Sequence, residues 1–181
     1  MAEKTKRQLQ AERTKQSLLQ AVKGLLQDHQ LDEIPIRDIC KIANVSIGTF
    51  YLYFSCKEEA FLYLYRECDE DFSRLDLQDE PRENIRTILT TYYHMVHLDN
   101  LEFDRKLYKC HLSYYDAYFF DENRSVFVRL KKEIETYACI DNAEEITWGI
   151  LEFCRGRIYN LCIGFREADD SWYDRQTELT L

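Results

Sequence analysis

Residues 43–54, "ANVSIGTFYLYF", set aromatic and large aliphatic side chains beside a Ser, a Gly and a Thr, directly after a turn-like Ala-Asn-Val. Phe50 and Phe54 repeat at the i, i+4 spacing of one helical face, while Thr49, Tyr51 and Tyr53 fall elsewhere on the same few turns. Phe50 and Phe54 therefore point a short helix inward. Ser46 stands where its hydroxyl can cap that helix by accepting a backbone N–H of the first turn. The stretch is too short and too mixed for a buried helix, so the side chains away from the two Phe are expected to meet something outside the protein.

The flanks agree with a short helix held between others. Leu18, Val22, Leu25 and Leu26 recur at helical spacing between Arg13 and His29 and mark an amphipathic first helix. After the break at Pro35, Ile36, Ile39, Cys40 and Ala43 form a one-sided stripe, the second helix, and Asn44-Val45-Ser46 turns the chain into the third. Ser55-Cys56-Lys57-Glu58 fits a capping box in which Ser55 accepts the Glu58 amide and Glu58 reaches back. A fourth helix opens there and runs to about Phe72. Two short helices joined by a tight turn, the second opening on small and hydroxylated residues, is the layout of a helix-turn-helix.

Composition narrows the fold class. The chain has 181 residues, 45% of them hydrophobic, with five Gly and two Pro. That content supports a real core and leaves little turn chemistry, and no long run alternates apolar with polar, so an all-α protein is expected. No stretch of about 18 apolar residues exists, and "MAEKTKRQLQAERTK" lacks the apolar core of a signal peptide, so a soluble cytoplasmic protein with no membrane partner is expected. The seven cysteines, at 40, 56, 68, 110, 139, 154 and 162, form no CxxC pair and mostly occupy apolar helical positions. They read as reduced thiols rather than disulfides or zinc ligands.

Charge is divided unevenly. Of 24 basic and 33 acidic residues, 9 and 6 fall in residues 1–57, which leaves 15 and 27 for the rest, so a net +3 segment sits on a net −12 remainder. An acidic protein with one basic end is suited to dock on a polyanion by that end only.

At "IPIRDICKIANVSIGTFYLYFSCKEEAF", residues 34–61, the sequence resembles the DNA-binding segment of TetR-type (TetR/AcrR) transcriptional regulators. The resemblance rests on the short helix, the Val-Ser turn, the Gly-Thr-aromatic-Tyr-x-x-Phe third helix and the Lys-Glu-Glu opening of the next. It covers roughly residues 10–65 and is specific over 36–59. It implies a DNA-binding domain over 1–56 and a ligand-binding and dimerising helical bundle over 57–181, with 57–72 as the connecting helix. It also implies a homodimeric regulator, most often a repressor, bound to a palindromic operator of double-stranded DNA and released by a small-molecule effector.

Ser46, Thr49, Tyr51 and Lys57 match the family's capping, groove-facing and phosphate-contacting positions. Ile47, Gly48 and Tyr53 lie on the groove side of the same helix. The chemistry of these residues is consistent with such roles: Gly48 lets backbone approach DNA closely, Thr49 offers a hydroxyl and a methyl to a base edge, and tyrosine hydroxyls and Lys57 suit phosphate oxygens. Two departures imply fewer phosphate contacts: Gln30 stands where the family usually has the Gly that ends the first helix, and Ile34-Pro35-Ile36 where it usually has a Thr opening the second.

Beyond Pro81, which suits the first turn of a helix, Ile85, Ile88, Leu89, Tyr92 and Val96 define a fifth helix, and Phe103, Leu107, Cys110 and Tyr114 a sixth. After "DAYFFDENR", Val126, Phe127, Leu130, Ile134 and Ala138 define a seventh, and 143–166 a long final one, apolar almost all round. Such a helix needs cover on two sides. Gly149 and Gly156, seven apart, are expected to let a partner helix approach closely, with Trp148, Leu151 and Ile158 filling the flanks of a dimer interface. An effector cavity bordered by Tyr92, Tyr115, Phe119 and Trp148, with Arg155 as a charged contact, is expected in the aromatic-rich bundle.

His94, His97 and His111 permit a metal site to be drawn, but no carboxylate motif accompanies them, and neither metal nor cofactor is expected. No nucleophile elbow, phosphate loop or HExxH is present, so the chain is not read as an enzyme. The remaining classes are a helical protein-interaction regulator or co-activator with a degenerate helix-turn-helix and, more distantly, a helical-bundle enzyme or metal-binding protein.

Overall fold

The computed structural model describes residues 5–96, 101–138, 141–164, 169 and 171–181. These residues form helices and no strand: α1 (Lys6–Asp28), α2 (Ile36–Ile42), α3 (Ile47–Tyr51), α4 (Lys57–Arg74), α5 (Pro81–His94), α6 (Leu101–Ser113), α7 (Ser125–Ala138), α8 (Ala143–Cys162) and α9 (Trp172–Thr180). Among the described residues no helix is long and apolar enough to cross a membrane.

Packing divides the chain into two units, Met1–Tyr65 with Lys109–Asp116, and Arg66–Tyr108 with Ala117–Leu181. α4 and α6 are thus each shared between the two.

In the first unit α1 begins earlier than the apolar spacing suggests. A reciprocal box at Thr5 and Gln8 satisfies its first-turn amides, and the helix then carries Leu18, Leu19, Val22 and Leu26 into the interior. It stops at His29 in extended conformation, and Gln30 continues through its backbone N–H to the Glu33 carboxylate, opening a 3-10 turn over Leu31–Glu33. The chain therefore leaves α1 without the left-handed glycine that its family resemblance leads one to expect.

α4 is capped one residue later than the spacing suggests. Cys56 Sγ accepts the Glu59 amide at 3.4 Å, and the Glu59 carboxylate takes both the amide and the hydroxyl of Ser55 at 2.7 Å. The cause is geometric: with Lys57 as the first helical residue, the third is Glu59, not Glu58.

In the second unit α5 lies between α7 and α9, and α8 packs on α7 and α9. Phe72, Ile88, Leu89, Tyr93, Leu130 and Cys154 fill the core. Two cationic groups tie α4 into it. Arg129 donates to the carbonyls of Phe72 and Leu75 at 2.6 and 2.7 Å, closing the end of the helix. Arg124, buried, meets Asp69 through Nε and Nη2 at 2.9 and 3.1 Å, and Tyr118 donates to the same carboxylate at 2.6 Å.

α9 escapes apolar periodicity because its inward face is mostly polar. Trp172, Gln176 and Thr177 are buried, Thr177 meets Thr90, and Thr180 meets the Tyr93 hydroxyl. The preceding helix, expected to run to 166, ends at Cys162, and Gly164 follows in the left-handed region at φ +78°.

The six cysteines among the described residues are free thiols, and Cys139 lies outside them. Burial pushes Cys110 up to about 12 and Cys154 and Cys162 up to about 11, so these thiols stay protonated near neutrality.

Candidate nucleic-acid interface

The turn between α2 and α3 is built on one special backbone position. Asn44 adopts φ +54°, the left-handed region that Asn tolerates better than most residues, and the Val45 amide then closes onto the Cys40 carbonyl at 3.0 Å. Ser46, extended, caps α3: its Oγ accepts the Thr49 amide at 3.0 Å and lies 2.8 Å from Thr49 Oγ1. Phe50 is fully buried and packs on Phe54 at 5.7 Å between ring centroids, and Phe54 meets Tyr63 edge-on. Lys15 of α1 stands over the Tyr63 ring at 3.5 Å. α3 is held from one side only.

The opposite side is open. Ile47 and Tyr51 are about half exposed, at 50% and 54%, and Leu52 is exposed at 82%. Ser46 and Gly48 are exposed, and Thr49 and Tyr53 half-buried. A Cβ added at Gly48 would make only an ordinary contact, 3.7 Å from Ser46 Oγ, so the fold does not require glycine there. Leu52 is missing from the residues the sequence points to, although its i+4 relation to Gly48 puts it on that residue's face.

Lys57 is half-buried and already occupied. Its ammonium donates to the carbonyls of Asp32 and Ile34, both at 3.0 Å, tying the start of α4 to the loop before α2. An ammonium has three donors, so one remains for an outside acceptor. The basic groups Arg37 and Lys41 on α2 are exposed.

In the second unit, Arg155 lies over the Phe119 ring at 5.2 Å and the Trp148 ring at 5.9 Å. Trp148 also packs against Phe127 at 4.7 Å and donates toward Glu122 at 3.4 Å. Tyr92 is buried in the core against Phe72 and Tyr93. Tyr115 belongs to the first unit and is 76% exposed. The structure thus groups Phe119, Trp148 and Arg155, with Tyr92 in the core of their unit and Tyr115 outside it.

On α8, Leu151 and Ile158 are buried in the core of their own unit. Gly149 and Gly156 lie on the exposed side, and a Cβ at either would meet nothing within 4 Å. Phe153, Tyr159 and Ile163 share that exposed side. The sequence signal for them is the seven-residue step from Gly149 through Gly156 to Ile163.

His94 is exposed and stacks on Tyr173 at 4.0 Å, His111 meets Tyr65 edge-on, and His97 lies outside the described residues. Among the described residues no group of three or more His, Cys, Asp and Glu is arranged to hold a metal ion.

A five-residue helix held by buried aromatics, entered through a tight turn and open on its far side, defines a helix-turn-helix module of the kind that enters the major groove. Residues 18–64 match the sequence model of the family described as bacterial regulatory proteins, tetR family. An uncharacterized HTH-type transcriptional regulator, YwcC of Bacillus subtilis (strain 168), is 38% identical over 61 residues. That alignment spans 34% of this chain and 27% of the relative's length.

Among solved structures, a TetR transcriptional regulator from Rhodococcus sp. RHA1 superposes with a TM-score of 0.66 at 14% identity, covering 97% of this chain and 94% of that one. The flavonoid-responsive regulator FrrA gives 0.59 at 20% identity, with 93% of each chain covered. The N-terminal segment is of the TetR type, and the chain as a whole has the fold of the TetR-type regulators it resembles. The proteins it resembles carry the names of regulators, not of enzymes.

Proposed function

We propose that this chain is a cytoplasmic transcriptional repressor that binds a palindromic operator as a homodimer and leaves it when a small apolar or aromatic effector binds. The observation that carries this is the open face of α3, held from behind by Phe50 and Phe54 inside the segment that matches the tetR family. Residues 1–56 act as the DNA-binding domain and 57–181 as the sensing and dimerising domain. Ser46 orients α3, while Ile47, Gly48, Thr49, Tyr51 and Tyr53 meet the duplex. Lys57 contributes to a phosphate only through its remaining donor.

The dimer forms through the exposed side of α8. Gly149 and Gly156 give the close approach and Phe153, Tyr159 and Ile163 the apolar area, while Leu151 and Ile158 support the face from within. The effector site is built around Phe119, Trp148 and Arg155. A protein of the same fold, FrrA, is flavonoid-responsive, which supports an aromatic effector. Because α4 begins at Lys57, directly after the DNA-binding domain, and carries Phe72 in the core of the second unit, repacking around Asp69 and Phe72 acts on the helix that connects the two domains.

Enrichment of genomic duplex fragments on the purified chain, followed by footprinting, tests the proposal. It predicts one inverted-repeat site whose half-sites lie about 34–36 Å apart. Recovery of fragments with no common sequence would contradict it. Calorimetry on the enriched site then tests the coupling, since an effector that lowers operator affinity must itself bind less tightly by the same factor when operator is present.

A further inference from the structure

α3 reads "IGTFY" and is followed by Leu52. It carries no Arg, Lys, Asn, Gln, Asp or Glu, the side chains that pair with guanine, adenine or cytosine edges in the major groove. The one guanidinium of residues 34–61, Arg37, is on α2 and next to Asp38 at 3.5 Å.

At about 100° per residue, Gly48 and Leu52 lie opposite the buried Phe50, while Tyr51 and Ile47 widen the open face to an arc of about 140°, and Ile47, Tyr51 and Leu52 are all exposed. Thr49 is half-buried, and its hydroxyl lies against Ser46 Oγ at 2.8 Å, which leaves its methyl as the group most free to face outward. The open face thus offers isobutyl and sec-butyl groups, a methyl and a phenol. In the major groove the one apolar feature that separates base pairs is the 5-methyl of thymine. An aliphatic side chain set against a guanine O6 and N7 would instead cover those acceptors without pairing them.

We infer that α3 reads thymine 5-methyl groups, with Ile47 and Leu52 as the specificity-determining residues, and that the base pairs beneath it are A·T. This rests on the DNA-binding reading above, and the occupant of the face is duplex DNA. The basic balance of residues 1–57, against the acidic remainder, supports a polyanion over a protein partner.

Duplexes enriched from a random pool by the full-length protein would be remade with uracil in place of each half-site thymine in turn, a change that removes only the methyl. At two or more positions per half-site, affinity is expected to fall about fourfold each, the equivalent of ~0.8 kcal/mol for one buried carbon. In Leu52→Ala or Ile47→Ala, both at exposed positions that do not disturb the core, the uracil effect at the matching base should shrink toward none. 5-Methylcytosine in place of cytosine at a disfavoured position should recover part of the binding. An enriched site that is indifferent to uracil, or that carries G·C beneath α3, overturns the inference and leaves DNA binding standing. A pool in which no duplex is enriched overturns both.

Discussion

The outward faces of α3 and α8 are both apolar, yet their settings differ. α3 is five residues long and stands in a segment of net charge +3, backed by one buried Phe. α8 is twenty residues long, opens on Glu144 and Glu145 in the acidic part of the chain, and has two glycines with open space above them. A short projecting face in basic surroundings suits a groove lined by phosphates. A long flat face among carboxylates repels phosphate and suits another helix. Local chemistry, more than apolarity, tells the two kinds of surface apart.

The largest effects should come from the buried groups that hold the helices in place. Phe50→Ala removes the one fully buried side chain of α3 and should cost about 3–5 kcal/mol in denaturant unfolding, with loss of operator binding. Asp69→Ala leaves the buried Arg124 guanidinium without its carboxylate and should cost a similar ~3–5 kcal/mol. A change below 1 kcal/mol in either would mean that these groups do not anchor their helices.

Next come the faces themselves. Gly156→Glu has room in the single chain and replaces a helix-interior glycine, so the chain should stay folded while sedimentation shows a monomer with operator binding weakened roughly tenfold or more. A variant that stays dimeric would move the interface off α8. Gly48→Ala likewise fits its own fold, 3.7 Å from Ser46 Oγ, and should leave stability unchanged or raise it by up to ~1 kcal/mol while lowering operator affinity severalfold. Equal effects on stability and binding would mean that Gly48 serves the fold.

A pH-dependent effect draws on buried groups of both units. Burial first, with nearby acidic groups for Cys110 and Cys162, raises the folded values of Cys110, Cys154 and Cys162 to about 12, 11 and 11, above an ordinary thiol at 9.0. Burial also raises Tyr93 and Tyr118. The folded state holds these protons more tightly, so their contribution is complete below about pH 9 and is lost as pH rises through 11–12. The denaturant midpoint should decline from pH 9 to 11, and a flat profile would contradict it.

These differences also explain what the sequence discloses. The helix-turn-helix is legible because its turn restricts residue type: Asn44 in the left-handed region, Ser46 at the cap, and Phe50 and Phe54 four apart. The start of α1 is not found by apolar spacing, which opens the helix near Arg13, because the Thr5 and Gln8 capping box that begins it lies outside the apolar pattern. Nor is α9, because it docks through Thr177, Thr180 and Gln176, polar residues whose partners on α5 and α8 are distant in sequence. On α8, spacing alone could not say which side faced inward. Leu151 and Ile158 lie in the core and the glycines outside it, and only the packing of α7 and α9 decides that. Tyr92 and Phe119 likewise differ in burial for reasons of packing, not of sequence type.

The most direct test of the account is the mass and footprint of the complex between the full-length chain and its enriched duplex, measured by sedimentation at moderate salt. The account predicts two chains on one inverted repeat, with protection centred on two half-sites about one helical turn apart. It also predicts a Gly156→Glu variant that fails to form that complex. A single chain bound to one half-site, or binding of equal strength to unrelated duplexes, would contradict the assignment of α3 to DNA and of α8 to the second subunit.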